Sequence, residues 1–203
     1  MHPADVLQGG AGSTCEQKFI EVLKVDFMML TVKKLTYSAM ALALALVLPF
    51  LTGQIQEIGN MLCPMHLPVL LCGFLCGWPW GLAVGFLAPA LRFVLFQMPP
   101  MPLWIAMSFE LAVYGALTGF LYRRLPKRIP YIYFSLIAAM LCGRLVWGAV
   151  RFLIAGFTQT TFTFSAFLAG AVTAAVPGIL LQLVLIPVLV LVLRRARLTL
   201  NEN

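Results

Sequence analysis

The sequence predicts an all-α integral membrane protein, a compact six-helix transmembrane bundle with N and C termini cytoplasmic. Three observations carry this. Of 203 residues, 62% are hydrophobic and 10% charged, against about a quarter charged in a typical soluble domain. The apolar residues gather in six runs, and about 20 residues suffice to cross a bilayer. Nine of the 14 Lys and Arg stand in three short clusters beside those runs, where the positive-inside rule explains them. A soluble globule is therefore excluded, and the net charge of +7 reports topology rather than a nucleic-acid partner.

Residues 1–28 differ from everything after them. They hold four of the seven acidic residues, and acidic positions interrupt the apolar ones, so they do not form a secretory signal. Two readings stand for this N-terminal extension. One is a surface amphipathic helix over 16–28 with Phe19, Ile20, Leu23 and Phe27 on one side. The other is a non-native upstream segment, with translation starting at Met28 or Met29. Residues 29–203 form the membrane domain.

The runs are 35–52, 64–77, 80–97, 102–122, 129–157 and 164–193. Lys33 and Lys34 precede the first, Arg123, Arg124, Lys127 and Arg128 follow the fourth, and Arg194, Arg195 and Arg197 follow the sixth. With every cluster inside the cell, the number of crossings between clusters is even. Residues 64–97 must then cross twice, turning near Gly77 to Gly81, with a short, tilted or irregular second span. Loops 53–63, 98–101 and 158–163 carry no Lys or Arg and lie outside. The five cysteines, Cys15, Cys63, Cys72, Cys76 and Cys142, are expected as reduced, buried, small apolar residues.

In lipid, helices associate through close packing of small residues. Gly73 with Gly77, Gly81 with Gly85, and Gly115 with Gly119 repeat at a spacing of four, which ordinary internal packing explains. The first span is different. Ala39 and Ala43 form one stripe and Ala41 and Ala45 another, which suits docking to a separate membrane partner as well as internal packing.

Four ionisable residues fall inside the spans: Arg92, Glu110, Arg144 and Arg151. Each costs at least about 2–3 kcal/mol near the bilayer centre unless paired or hydrated. Arg144, Trp147 and Arg151 share a face of the fifth span, and Met107, Glu110 and Tyr114 share one of the fourth. One glutamate cannot neutralise three arginines, so the surplus positive charge calls for an anionic or strongly polar ligand. The competing reading pairs Glu110 with Arg144 structurally and lets Arg92 and Arg151 reach the headgroups. Asn60, in the polar loop 53–63, is a further candidate contact from above.

No Gly-x-x-x-x-Gly-Lys-[Ser/Thr], His-Glu-x-x-His or Gly-x-Ser-x-Gly sequence occurs. ATP hydrolysis by this chain, an enzymatic role, a cofactor and a metal centre are therefore not expected. His66, beside Cys63 and Pro64, lacks a cluster to complete a metal site.

These features resemble the substrate-binding S component of energy-coupling factor (ECF) vitamin transporters. The likeness covers most of Met29 to Leu198. It rests on size, six spans, the alanine-striped first helix, the stretch from Leu67 to Gly77 leading through Gly85 and Pro89 to Arg92, and the run Phe109, Glu110, Leu111 through Tyr114, Gly115 and Gly119 to Tyr122. The resemblance implies a multi-pass plasma-membrane protein that binds a small-molecule vitamin. It also implies docking, with Ala39 and Ala43 the best match, on a transmembrane coupling subunit driven by two ATPase subunits. A carboxylate-bearing substrate such as pantothenate or a folate is the first reading and riboflavin the near alternative. The rival from another class is a small structural membrane protein acting as a scaffold.

Overall fold

The computed structural model describes residues 10–51, 64–101, 103–158, 163, 176–196 and 198–200, and of residues 10–20, 22, 23 and 51 the backbone alone. Among the described residues the regular structure is helical: α1 Gly10–Leu51, α2 His66–Cys76, α3 Trp78–Phe96, α4 Leu103–Arg124, α5 Ile129–Thr158 and α6 Val176–Arg195. Helices suit these apolar runs because, in lipid, each backbone N–H and C=O must find its partner within the segment. Five stretches are long and apolar enough to cross a membrane: Lys24–Phe50 within α1, and helices α3, α4, α5 and α6.

Helix α2 falls within the second span at 64–77, which the sequence leads one to expect as short, tilted or irregular. Its 11 residues reach about 16 Å, roughly half of a 30 Å hydrocarbon layer. The cause of its end is local. Gly77 adopts φ 98°, a conformation open to glycine, and Pro79 follows in the first turn of α3, where its missing N–H costs nothing. The chain folds straight back. A Cβ on Gly81 would lie 2.9 Å from the Cα of Gly73, so α2 and α3 form a tight helical hairpin. The first part of the sixth run, 164–175, lies outside the described residues.

The chain divides into two compact units, Met1–Thr36 and Tyr37–Asn203. In the first, helix α1 runs through residue 28, where the sequence reading divides extension from membrane domain. Val25, Phe27, Met28 and Met29 are exposed there, and the Thr31 hydroxyl donates to the Phe27 carbonyl at 2.9 Å. A hydroxyl satisfied this way does not compete for an external partner.

In the second unit α4 is the central helix, packed by α2, α3 and α5, while α6 lies against α2 and α5. Glycines allow the closest approaches. A Cβ on Gly115 would meet the Gly81 carbonyl oxygen at 2.1 Å, and one on Gly85 the Leu111 carbonyl oxygen at 2.3 Å. The spaced glycines of α2, α3 and α4 thus serve internal packing. The main core joins Leu67, Leu70 and Phe74 of α2 to Tyr114 and Tyr122 of α4, Ile132, Leu136 and Met140 of α5, and Ile186 and Val190 of α6. A second cluster seats Ala41 and Ala45 of α1 against Val69, Cys72, Val84, Ala88 and Leu111. Large apolar side chains such as Val94, Leu141, Leu145, Leu153 and Val184 face outward, as lipid-facing surfaces do.

Two of the basic clusters meet at one end. The Arg194 guanidinium donates to the Lys127 carbonyl at 2.6 Å, and the Leu200 N–H donates to the Leu75 carbonyl at 2.9 Å, which ties the chain after α6 to the α2 end near Gly77. Cys72 and Cys76 are reduced and buried, as expected. Cys142 is free but exposed, a correction to the expectation of burial: it stands beside Leu141 on the outward face of α5, where a small apolar residue is equally at home in lipid.

Candidate functional site

The intramembrane charges are positioned by helical spacing. Glu110 and Tyr114 lie one turn apart on the inner face of α4, and Arg144, Trp147 and Arg151 follow one another along α5. Packing of α5 on α4 brings the two faces together. The Arg144 Nη1 is 3.1 Å from the Glu110 Oε1. Glu110 is 1% exposed, so its charge is held by this pairing and not by water. Arg144 and Arg151 are half-buried.

A third element completes the cluster, one that sequence reasoning left out of the site. His66, the first residue of α2, is 2% exposed. Its Nε2 lies 3.7 Å from the Glu110 Oε1, and its ring centroid 5.3 Å from that of Tyr114. The short second helix therefore carries a polar group to the interior at its start. The signal available was indirect: His66 is the only histidine after His2, and it opens an apolar run.

Space for the cluster comes from Gly143. A Cβ there would lie 2.1 Å from the Tyr114 Cε1, so the tyrosine ring rests directly on the α5 backbone beside Arg144. Trp147 is buried with Ala106 and packs with Leu103 and Val150, where α4 and α5 meet near the start of α4. Gln182 of α6 is also buried, a polar position that sequence reasoning did not single out.

Arg92 is placed differently. It is 6% exposed, and its Nη1 donates to the Leu46 carbonyl of α1 at 3.1 Å. The guanidinium also stands 5.3 Å from the Phe50 ring centroid and 5.8 Å from that of Phe96. These contacts join α3 to the last turns of α1, whereas the ion pairs of Glu110 among the described residues are with Arg144 and His66. Asn60 lies outside the described residues.

The two alanine stripes part company. Ala41 and Ala45 are buried in the second core cluster, whereas Ala39 and Ala43 are exposed. One stripe packs the bundle and the other is left as a smooth outer face.

Chemically, the cluster offers one buried carboxylate, the Arg144 guanidinium, an imidazole and the Tyr114 ring, with Trp147 and Arg151 further along the same face of α5. It is equipped for polar recognition. The sequence model of the family described as "ECF transporter, substrate-specific component" matches residues 33–190, more than three quarters of the chain. The chain belongs to that family. No curated protein and no solved structure matches the chain significantly. As an ECF substrate-specific component it is the substrate-binding subunit of a transporter, works with an ECF module, and is a transport protein of the membrane rather than an enzyme. The match begins at Lys33, beyond the extension.

Proposed function

We propose that this ECF substrate-specific component captures a vitamin or vitamin precursor bearing a carboxylate, of the kind represented by pantothenate or a folate. The substrate site is formed by Glu110 and Tyr114 of α4, Arg144, Trp147 and Arg151 of α5, and His66 of α2, with Asn60 as a further contact. The observation that carries this reading is the buried ion pair of Glu110 and Arg144 at 3.1 Å, with a second arginine, Arg151, two turns along the same face of α5. A guanidinium there suits a carboxylate ligand, since its planar fork matches a carboxylate. Riboflavin, a neutral ring compound, would draw on the aromatic groups instead. Arg92 braces the end of α1.

We further propose that the chain lies in the plasma membrane with both termini in the cytoplasm. The meeting of the clusters at Lys127 and Arg194 supports this, since basic residues favour the inner side. Ala39 and Ala43 present the face that receives the transmembrane coupling subunit, driven by two ATPase subunits.

The test is a binding titration of the chain in lipid nanodiscs with pantothenate, folate and riboflavin. The double variant Glu110→Gln/Arg144→Met removes the ion pair without stranding either charge. The wild-type chain is expected to bind pantothenate or folate, and the double variant to lose at least about tenfold in affinity, as expected for a lost charge-assisted contact. Equal binding by both proteins would reject the site.

A further inference from the structure

We infer that His66 is a specificity-determining residue of this site, and that its Nδ1 accepts a hydrogen bond from the substrate. The substrate then carries a hydroxyl or amide N–H beside its anionic group. This rests on the binding reading above and narrows it.

The surroundings of the imidazole fix its chemistry. Nε2 is the ring nitrogen nearer Glu110, 3.7 Å from its Oε1, and since that carboxylate is paired with Arg144 and accepts only, we place the ring proton on Nε2. In the neutral ring the other nitrogen is then an acceptor. Among the described residues both ring nitrogens are buried without a hydrogen-bond partner; Nε2 has the Glu110 carboxylate 3.7 Å away, and Nδ1 is the nitrogen left for a ligand. Leu67, Pro68, Val69 and Leu70, which follow it in α2, are all buried, and the Tyr114 ring lies 5.3 Å away, centroid to centroid. An apolar side chain would fill this space without carrying an unmet acceptor, which is costly wherever water is excluded. A donor on the ligand satisfies it.

The geometry also divides the recognition work. Arg144 is committed to Glu110, Glu110 orients the imidazole, and the imidazole reads a neutral donor while Arg151 faces the anionic end. A compound with a carboxylate but no nearby hydroxyl or amide N–H meets half of this pattern.

Two substitutions separate the ring nitrogens. In His66→Asn the amide oxygen falls near the position of Nδ1. In His66→Gln the longer side chain carries its amide toward the position of Nε2, leaving Nδ1 without a substitute. Both variants and the wild-type chain, in nanodiscs, are titrated with pantothenate, folate and riboflavin, and the thermal midpoint of each protein is recorded without ligand. For the probe that binds the wild-type chain, His66→Gln is expected to weaken binding by about 10–100-fold, the range for a buried donor of the substrate left unmet. His66→Asn is expected to stay within about fivefold, with less than one neutral hydrogen bond lost, and the two thermal midpoints to agree. Wild-type affinity in His66→Gln, or equal losses in the two variants, would overturn the role of Nδ1 while leaving the substrate site in place. A wild-type chain that binds none of the three probes overturns the binding reading and this inference with it.

Discussion

At the residue scale, the decisive feature is a glutamate that water cannot reach. Glu110 is 1% exposed, and its counter-ion, Arg144, stands on another helix. Removing Arg144 alone therefore does more than delete a ligand contact. Arg144→Met is expected to lower stability by about 3–5 kcal/mol, because a buried charge is left without its counter-ion. Adding Glu110→Gln should restore most of that loss, and thermal unfolding of the two variants in one detergent measures the difference. Much of this was legible in the sequence: an ionisable residue in an apolar run needs a reason, and the spacing put Glu110 with Tyr114 and Arg144 with Trp147 on single faces. His66 was not. Its role depends on how α2 is brought against α4, and a lone histidine at the start of a helix carries no periodic signal.

At the scale of elements, the bundle depends on backbone meeting backbone where α3 crosses α4. Gly115 has no room for a methyl group, since a Cβ would stand 2.1 Å from the Gly81 carbonyl oxygen, whereas a Cβ on Gly156 meets nothing within 4 Å. Gly115→Ala is accordingly expected to cost about 1–3 kcal/mol or more through overpacking. Gly156→Ala should be neutral or stabilising by up to about 1 kcal/mol, the usual helix preference for alanine. Thermal midpoints of the purified variants decide between these outcomes. The order and type of the helices followed from run length and from the glycine and proline at 77 and 79. That the second span is short followed as well, whereas the bounds of α2 did not, because an apolar run marks what tolerates lipid rather than where hydrogen bonding stops. The continuity of α1 past residue 28 was equally hidden, since a polar helix start and a polar loop share a composition.

For the whole molecule, the alanines of α1 test how the subunit meets its machinery. Sequence spacing left the two stripes equivalent, and only burial tells them apart: Ala41 and Ala45 pack inward while Ala39 and Ala43 remain outside. Ala39→Trp and Ala43→Trp are expected to abolish co-purification with the coupling module and leave ligand binding intact, whereas Ala45→Trp should unfold the bundle by forcing an indole into a filled core. Affinity capture with the coupling module, beside a ligand titration, reads both effects. The central claim is that the cluster around Glu110 holds a carboxylate-bearing vitamin or precursor. Mass spectrometry of small molecules released from the purified chain tests it most directly. The expected result is a carboxylate-bearing compound in the wild-type sample that is missing from Glu110→Gln/Arg144→Met, and the same compound recovered equally from both proteins, or none from either, would contradict it.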